Sequence, residues 1–382
     1  MNFDLSEDQA RVRDAVREFA EQEVAPGVVE REREERFPRE VVAKLGEMGI
    51  LGMMVPEEYG GAGLDALTYI LAVEELARVC ASTAVIMSVN NSVFCYPVWK
   101  YGSERQKSEI LSEVAAGRSL GAYALSEAQS GSDAANQKTR ARRDGDDYVL
   151  DGSKAWVTNA GEAAWYLVMT MTAPEEGTRG ITGFLVSADD PGLRIGAPEA
   201  KMGLRASKTA AIYLDNVRVP AWRRLGEEGQ GFPIAMATLD HSRIGIAAQG
   251  VGIARASYEA SVEYAQTRET FGKKIVEHEA IAFQIADMRV QIEAARWLTY
   301  RAAVRSEKSG VRFSKESSMA KVFATEMANA VAARAVAIFG GYGYSREYPV
   351  ERYYRDARVT TIYEGTSEIQ RIVISKNILA GR

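Results

Sequence analysis

The spacing of apolar residues changes character twice along this chain, near residue 121 and again near 229, and that double switch constrains the fold more than any other feature. Before the first switch, residues 3–118 read as helical. Ser6 and Gln9 form a capping-box pattern, and Val12, Val16, Phe19 and Ala20 follow at helical spacing. The PEEYGGAG stretch at 56–63 breaks the pattern as a loop, and 67–98 is again apolar and helix-compatible. Between 121 and 226, β-branched and aromatic runs are separated by turn dipeptides. Asp144-Gly145 and Asp151-Gly152 bracket Tyr148-Val149-Leu150, while 165–172, 183–187 and 211–219 are further strand candidates. Such spacing predicts a compact antiparallel β domain. After 229 long Ala-rich helices are expected at 247–265, 281–306 and 317–339, with a glycine-rich break at 339–343. A last helix is expected from Ser367, which has Gln370 three places on. The expected class is α+β: a helical domain at 1–120, a central antiparallel β domain at 121–228 and a C-terminal helical domain at 229–382.

A chain of 382 residues is too long for one ordinary core. Its net charge of -5 argues against non-specific nucleic-acid binding, which needs a basic surface. No apolar run reads as long enough to span a bilayer, so no membrane insertion is expected, and the polar, acidic opening MNFDLSEDQ does not resemble a signal peptide. Cys80 and Cys95, the only cysteines, fit free thiols in a reducing, cytoplasmic setting. His241 and His278 are too few for a histidine-based metal centre, so no metal site is expected. Neither G-x-G-x-x-G after a strand nor a P-loop occurs, and there is no G-x-S-x-G elbow.

Three segments carry possible chemistry, each with a plainer reading beside it. YALSEAQSGSD at 123–133 is dense in small and hydroxyl residues, whose donors could meet a heteroaromatic ring or a phosphate; it could equally be a helix-capping loop. KAWVTN at 154–159 reads as a strand whose Trp156 could cover a ring and whose Thr158 could donate to it; a strand tryptophan can equally be core. RYYRDAR at 352–358 runs into TIYEGTSE at 361–368. There Glu364 sits among aromatic and apolar neighbours just ahead of a helix, as a general base would, or as a solvated loop acid.

Taken together and in order, these segments resemble the acyl-CoA dehydrogenase family over essentially the whole chain. Residues 123–133 resemble its first signature, with Ala128-Gln129-Ser130 where Pro-Gly and a small residue are usual, and Trp156-Val157-Thr158 resembles its flavin-facing strand. KMGLRAS at 201–207 and LGEEGQGF at 225–232 resemble its inter-domain segments. Asp240-His-Ser-Arg243 resembles its CoA-binding helix; Gly340-Gly-Tyr-Gly343 and Tyr363-Glu-Gly-Thr366 resemble its C-terminal signature and base.

The resemblance implies a C-terminal four-helix bundle, FAD as cofactor, a homotetramer built as a dimer of dimers, and electron-transfer flavoprotein as electron acceptor. It implies α,β-dehydrogenation of an acyl-CoA thioester to the trans-2-enoyl-CoA. Glu364 takes the α-proton while the β-hydride goes to flavin N5, and the thioester oxygen is held by the Glu364 N–H and a ribityl hydroxyl. Burial should raise the Glu364 pKa and the following helix N-terminus should lower it, with burial dominant. In some relatives the base lies just before the arginine of the CoA-binding helix; Ser242 stands there, which leaves the role to Glu364.

By the same resemblance, Tyr123, Leu125, Ser126, Gly131, Ser132, Trp156, Val157, Thr158, Gly340, Gly341, Thr366 and Glu368 would hold FAD. Arg268, Phe271 and Glu279 would meet the FAD of a neighbouring subunit. Ser132, Asp240, Arg243, Tyr363 and Gly365 would serve the acyl-CoA. Two positions depart from the family pattern, Glu279 and Ala337, where glutamine is usual; looser FAD binding or a rearranged adenine site is the expected consequence. SVNNS at 88–92 and YGSE at 101–104 resemble the short-chain, butyryl-type branch. An oxidase-like flavoenzyme and a flavin-free structural subunit are the alternatives on the same fold.

Overall fold

The computed structural model describes residues 4–308, 310 and 312–381. The outer bounds expected for the first and last domains, and the start of the first helical reading at residue 3, lie outside the described residues. The N-terminal part runs through α1 (Glu7–Phe19), α2 (Val28–Glu34), α3 (Arg39–Glu47), α4 (Ala66–Val79), α5 (Ala81–Val89), α6 (Tyr96–Tyr101), α7 (Glu104–Gln106) and α8 (Ser112–Ala115). α1 begins on the expected capping box, in which the Ser6 hydroxyl accepts from Gln9 N–H and the Gln9 side chain accepts from Ser6 N–H. The apolar stretch 67–98 is not one helix. Cys80 is extended (φ -148°), which separates α4 from α5, and both helices are buried almost all round.

The middle part holds β1 (Gly121–Ala124), β2 (Arg140–Asp144), β3 (Asp147–Thr158), β4 (Trp165–Met171), β5 (Ile181–Ser187), β6 (Leu193–Pro198), β7 (Thr209–Pro220) and β8 (Arg224–Leu225). They form one sheet in the order β6-β7-β3-β2-β4-β5-β8, with β1 on β4. Most pairings are antiparallel as expected, but β1 and β2 each run parallel to β4, so the sheet is mixed. A sequence pattern carries the strand but not its long-range partner, which explains the difference.

The C-terminal part comprises α9 (Gly231–Thr267), a small hairpin of β9 (Glu269–Thr270) and β10 (Lys273–Lys274), α10 (Glu279–Ser306), α11 (Ser314–Phe339), α12 (Val350–Thr360) and α13 (Ser367–Leu379). α9, α10, α11 and α13 make the bundle, α12 lies against α9 and α11, and α4 packs along α9. The close approach of α4 and α9 needs Gly252, where a Cβ would sit 2.5 Å from the Glu74 carbonyl oxygen. The same contact carries a charge cluster. Glu74 and Glu75 on α4 are 3% and 2% exposed and bind Arg255 of α9, Arg296 of α10 and Arg17 of α1 at 2.7–3.0 Å. One apolar core runs continuously from Val16 through the sheet to Val350, so the three parts share an interior.

By length and composition one stretch, Ser314–Tyr344, could cross a membrane, although the sequence reading excludes such a run. Half of its apolar window is buried inside the protein, and Lys321 lies fully buried on it. It is a core helix.

Candidate active site

Glu364 occupies the turn between α12 and α13. Its backbone is left-handed (φ 52°), as is that of Gly365 (φ 94°). That conformation costs a non-glycine residue about 1–2 kcal/mol. Donors from three helices hold the turn's carbonyl oxygens. Arg243 Nε on α9 donates to Glu364 O at 3.3 Å, and Gln370 Nε2 on α13 donates to Glu364 O at 3.1 Å and Gly365 O at 2.8 Å. Lys321 Nζ on α11 donates to Gly365 O at 2.7 Å. The α13 cap is Thr366, whose hydroxyl accepts from Ile369 N–H. The cap pair expected from Ser367 and Gln370 is therefore displaced by one residue, because Gln370 turns back to the carbonyls.

Glu364 as a whole is half-buried, but its Oε2 is sealed from solvent without a hydrogen-bond partner among the described residues. Its pKa is pushed up to about 7, chiefly by burial; the Ser242 hydroxyl and the positive charges of Lys321 and Arg243 act the other way. Tyr69, Tyr123 and Tyr363 face the same carboxyl, and burial raises their hydroxyl pKa values further above the usual range. The Tyr363 hydroxyl meets Gln249 Oε1, and the Tyr69 hydroxyl lies 2.8 Å from Ser88 Oγ. Arg243 also binds Asp240 Oδ1 at 2.6 Å, and the other Asp240 oxygen accepts from the Ser314 hydroxyl. The result is a desolvated carboxyl group among hydroxyls, able to accept a proton.

The second cluster joins the 123–133 loop to β3. Lys154 is 1% exposed and donates to Leu125 O at 3.1 Å, Glu127 Oε1 at 2.8 Å and Gln137 Oε1 at 2.9 Å. Ala155 N–H donates to Ser126 O at 2.9 Å. The β3–β7 register shifts between Lys154 and Val157, and inside that irregularity Trp156 takes φ 60° and stands 64% exposed. A bulge re-aims a side chain in this way, and left-handed backbone at a bulky residue is strained. Tyr123 and Thr158 are half-buried, and the Tyr123 hydroxyl is buried without a partner among the described residues. Gly131 and Ser132 are exposed. The Val157 and Leu125 side chains point into apolar cores, at 1% and 9% exposure. Only their backbone is left to face the neighbouring loop and strand.

Two further cavities collect the remaining residues. One, of about 500 Å³, is lined by Tyr264, Arg268, Phe339, Gly340, Gly341 and Tyr342. The other, of about 350 Å³, is lined by Glu326, Asn329, Arg358, Thr366 and Glu368. Phe271 and Glu279 join neither. Phe271 stands 97% exposed at the tip of the β9–β10 hairpin, where it and Gly272 both have positive φ, and Glu279 is exposed at the start of α10. Reading the sequence missed Tyr69, Gln249, Lys321 and Gln370. The signal for Lys321 was a cation between the apolar Met319-Ala320 and Val322-Phe323, a residue type almost never fully buried unless paired.

Three family models cover nearly the whole chain: the acyl-CoA dehydrogenase N-terminal domain over 6–118, the middle domain over 122–217 and the C-terminal domain over 229–379. A mouse (Mus musculus) mitochondrial short-chain specific acyl-CoA dehydrogenase is 48% identical, over 99% of this chain and 92% of its own length. The structure of butyryl-CoA dehydrogenase from Megasphaera elsdenii superposes with a TM-score of 0.97 at 44% identity, over 99% of this chain and 100% of its own. A chain from the structure of the electron transferring flavoprotein of Acidaminococcus fermentans, solved towards a mechanism of flavin-based electron bifurcation, matches with a TM-score of 0.98 at 46% identity and the same coverage. With the helix–sheet–helix architecture and the site geometry, these matches place the chain in the acyl-CoA dehydrogenase family.

Proposed function

We infer that this protein oxidises a short-chain acyl-CoA to its trans-2-enoyl-CoA, with Glu364 as the base that takes the α-proton. The observation that carries this reading is the Glu364 carboxyl itself, with Oε2 sealed off and without a hydrogen-bond partner among the described residues, and its pKa pushed up to about 7. A carboxylate so desolvated is a far stronger base than one in water, and a base whose pKa lies near the working pH is the most effective.

FAD fits the residues present. The Tyr123 hydroxyl is buried without a partner among the described residues, Trp156 is turned outward beside the loop, and a Cβ added to Gly131, Gly340 or Gly341 would meet nothing within 4 Å. Ser126, Ser132, Trp156 and Thr158 would hold the ring end, with the backbone of Leu125 and Val157. Gly340, Gly341, Thr366 and Glu368 would hold the rest, with glycine backbone suited to a pyrophosphate. Bound FAD supplies the acceptor for the β-hydride.

The chain's own residues do the remainder. Arg243, Lys321 and Gln370 fix the turn that carries Glu364, and the tyrosines and apolar walls exclude water. The Glu364 N–H, which has no acceptor among the described residues, is free to stabilise the thioester oxygen as negative charge develops there. Asp240, Arg243, Tyr363 and Gly365 would line the path of the acyl-CoA.

The functional protein is a homotetramer in this reading. Phe271 on its projecting hairpin supports this. So does a row of exposed apolar residues on α10, Phe283, Val290, Trp297 and Val304, which repeats every seven positions. Such a row suits packing against helices of other copies. Arg268, Phe271 and Glu279 would then meet cofactor bound in a neighbour. Electron-transfer flavoprotein is the acceptor suggested by the Acidaminococcus match, and two buried free cysteines suit a cytoplasmic setting.

The test is direct. Purified protein should carry a visible flavin band and convert butyryl-CoA, with an artificial electron acceptor, to a product lighter by two hydrogens. A colourless protein that binds no added FAD, or one that returns butyryl-CoA unchanged, would refute the reading.

A further inference from the structure

The left-handed turn at Glu364 and Gly365 is held by three donors, and Lys321 is the least expected of them. Arg243 also serves Asp240, and Gln370 is a neutral amide close by in sequence. Lys321 arrives from the middle of α11, 44 residues away, with its side chain 0% exposed. Its hydrogen-bond partner is a neutral carbonyl oxygen, Gly365 O, at 2.7 Å. An amide would satisfy that oxygen without the cost of burying an ammonium group.

The charged groups facing Lys321 explain why a cation stands there. Burial pushes the Lys321 pKa down to about 7; against it Glu364 is the strongest attraction, Glu326 on its own helix and Glu368 on α13 add weaker ones, and Arg243 on α9 works with burial. The groups facing Glu364 are Lys321, Arg243 and the Ser242 hydroxyl, with the hydroxyls of Tyr69, Tyr123 and Tyr363 around it. Lys321 and Arg243 are thus the cations set against a carboxyl oxygen that has no hydrogen-bond partner among the described residues.

We propose that Lys321 is a positioning residue for proton abstraction: its amino group locks the Gly365 carbonyl, and with it the left-handed turn, while its positive charge favours the ionised form of Glu364 against the burial that opposes it. It does not touch the substrate. Its effect passes through the orientation and protonation of the base, so it rests on the assignment of Glu364 as that base.

The test compares Lys321→Met and Lys321→Gln with Glu364→Gln in the full-length, FAD-loaded enzyme. Three quantities are read: the rate of anaerobic flavin reduction by butyryl-CoA against pH, the kcat and KM values, and the carboxyl infrared band of Glu364 titrated in the substrate-free protein. In Lys321→Met, kcat should fall about tenfold or more while KM changes by less than about threefold, because a base displaced by a fraction of an ångström loses rate rather than binding. The acid side of the rate profile and the infrared titration should both move to higher pH by about one unit, since a nearby positive charge favours the ionised carboxyl. Lys321→Gln restores a donor without the charge, so it should recover part of kcat and keep the pH displacement. Wild-type profiles and rates in both variants, with only a lower melting temperature, would overturn the proposal. If the methionine variant does not fold, the profile of Lys321→Gln decides by itself. If Glu364→Gln retains the wild-type rate, the base assignment fails and the proposal goes with it; an inactive Glu364→Gln beside an unshifted Lys321→Gln removes the lysine's role alone.

Discussion

Arg243 binds two groups at once: its Nε donates to the Glu364 carbonyl oxygen at 3.3 Å, and its Nη1 meets Asp240 Oδ1 at 2.6 Å. A guanidinium fork can span both, whereas a lysine ammonium is a single point. Arg243→Lys should therefore behave as a severe substitution, lowering kcat/KM for butyryl-CoA by about a hundredfold through misplacement of the base turn. Steady-state kinetics on the FAD-loaded variant check this, and near-normal kcat/KM would show that the turn does not depend on the fork.

Burial of Glu364 has a thermodynamic consequence of definite sign. In the unfolded chain the group ionises near 4.5, and in the native protein near 7, so the folded state holds the proton more tightly. No destabilisation arises below the lower value. It grows as pH rises between the two and is complete above the higher, at about 3 kcal/mol on the linkage relation. Glu364→Gln removes it, so the variant should melt higher than wild type at about pH 8 and equally with it at about pH 4. Thermal melts at the two pH values decide; a gain confined to acid pH contradicts the burial argument.

The ion pair of Lys154 and Glu127 staples the 123–133 loop to β3. Lys154→Met leaves Glu127 without its cation and should cost about 3–5 kcal/mol, the usual penalty for a buried charge stripped of its partner. The double variant Lys154→Met with Glu127→Leu should recover part of that loss. Urea unfolding of the single and double variants measures it, and the flavin-to-protein ratio of each reports whether the loop still serves the cofactor.

Glu279 is exposed at the first turn of α10, and Ala337 is exposed on the last turn of α11. An acid and a methyl group at these positions give FAD phosphates and ribose fewer favourable partners than amides would. The protein should lose FAD during gel filtration, and Glu279→Gln with Ala337→Gln should retain more. One-to-one flavin in the unmodified protein after dilution and filtration would contradict this.

Much of the architecture was legible because periodicity is local. The strand at 165–172 announced itself through WYLVMTM, now β4 and buried almost throughout, and the Ser6–Gln9 cap fixed the start of α1. What escaped depended on distant partners. The parallel pairings of β4 have no sequence signature. The break at Cys80 was hidden inside an apolar run because α4 and α5 are buried on nearly every side, which erases the amphipathic stripe that marks a helix boundary. Glu364 stood out through its aromatic neighbours and the glycine after it. Lys321, which helps hold its turn, did not, because it lies 44 positions from Gly365 and its target is a backbone carbonyl, which every residue has; Arg243 stood out only as a residue for the acyl-CoA, not as a support of the turn.

If the sealed carboxyl of Glu364 removes the α-proton, its loss must stop flavin reduction. Single-turnover bleaching of the flavin band by butyryl-CoA, followed anaerobically in wild type and in Glu364→Gln, measures this. Prompt bleaching is expected in the wild type, and in the variant a bound acyl-CoA with bleaching slowed at least about a thousandfold, as befits loss of a positioned base. Bleaching of Glu364→Gln at the wild-type rate would contradict it.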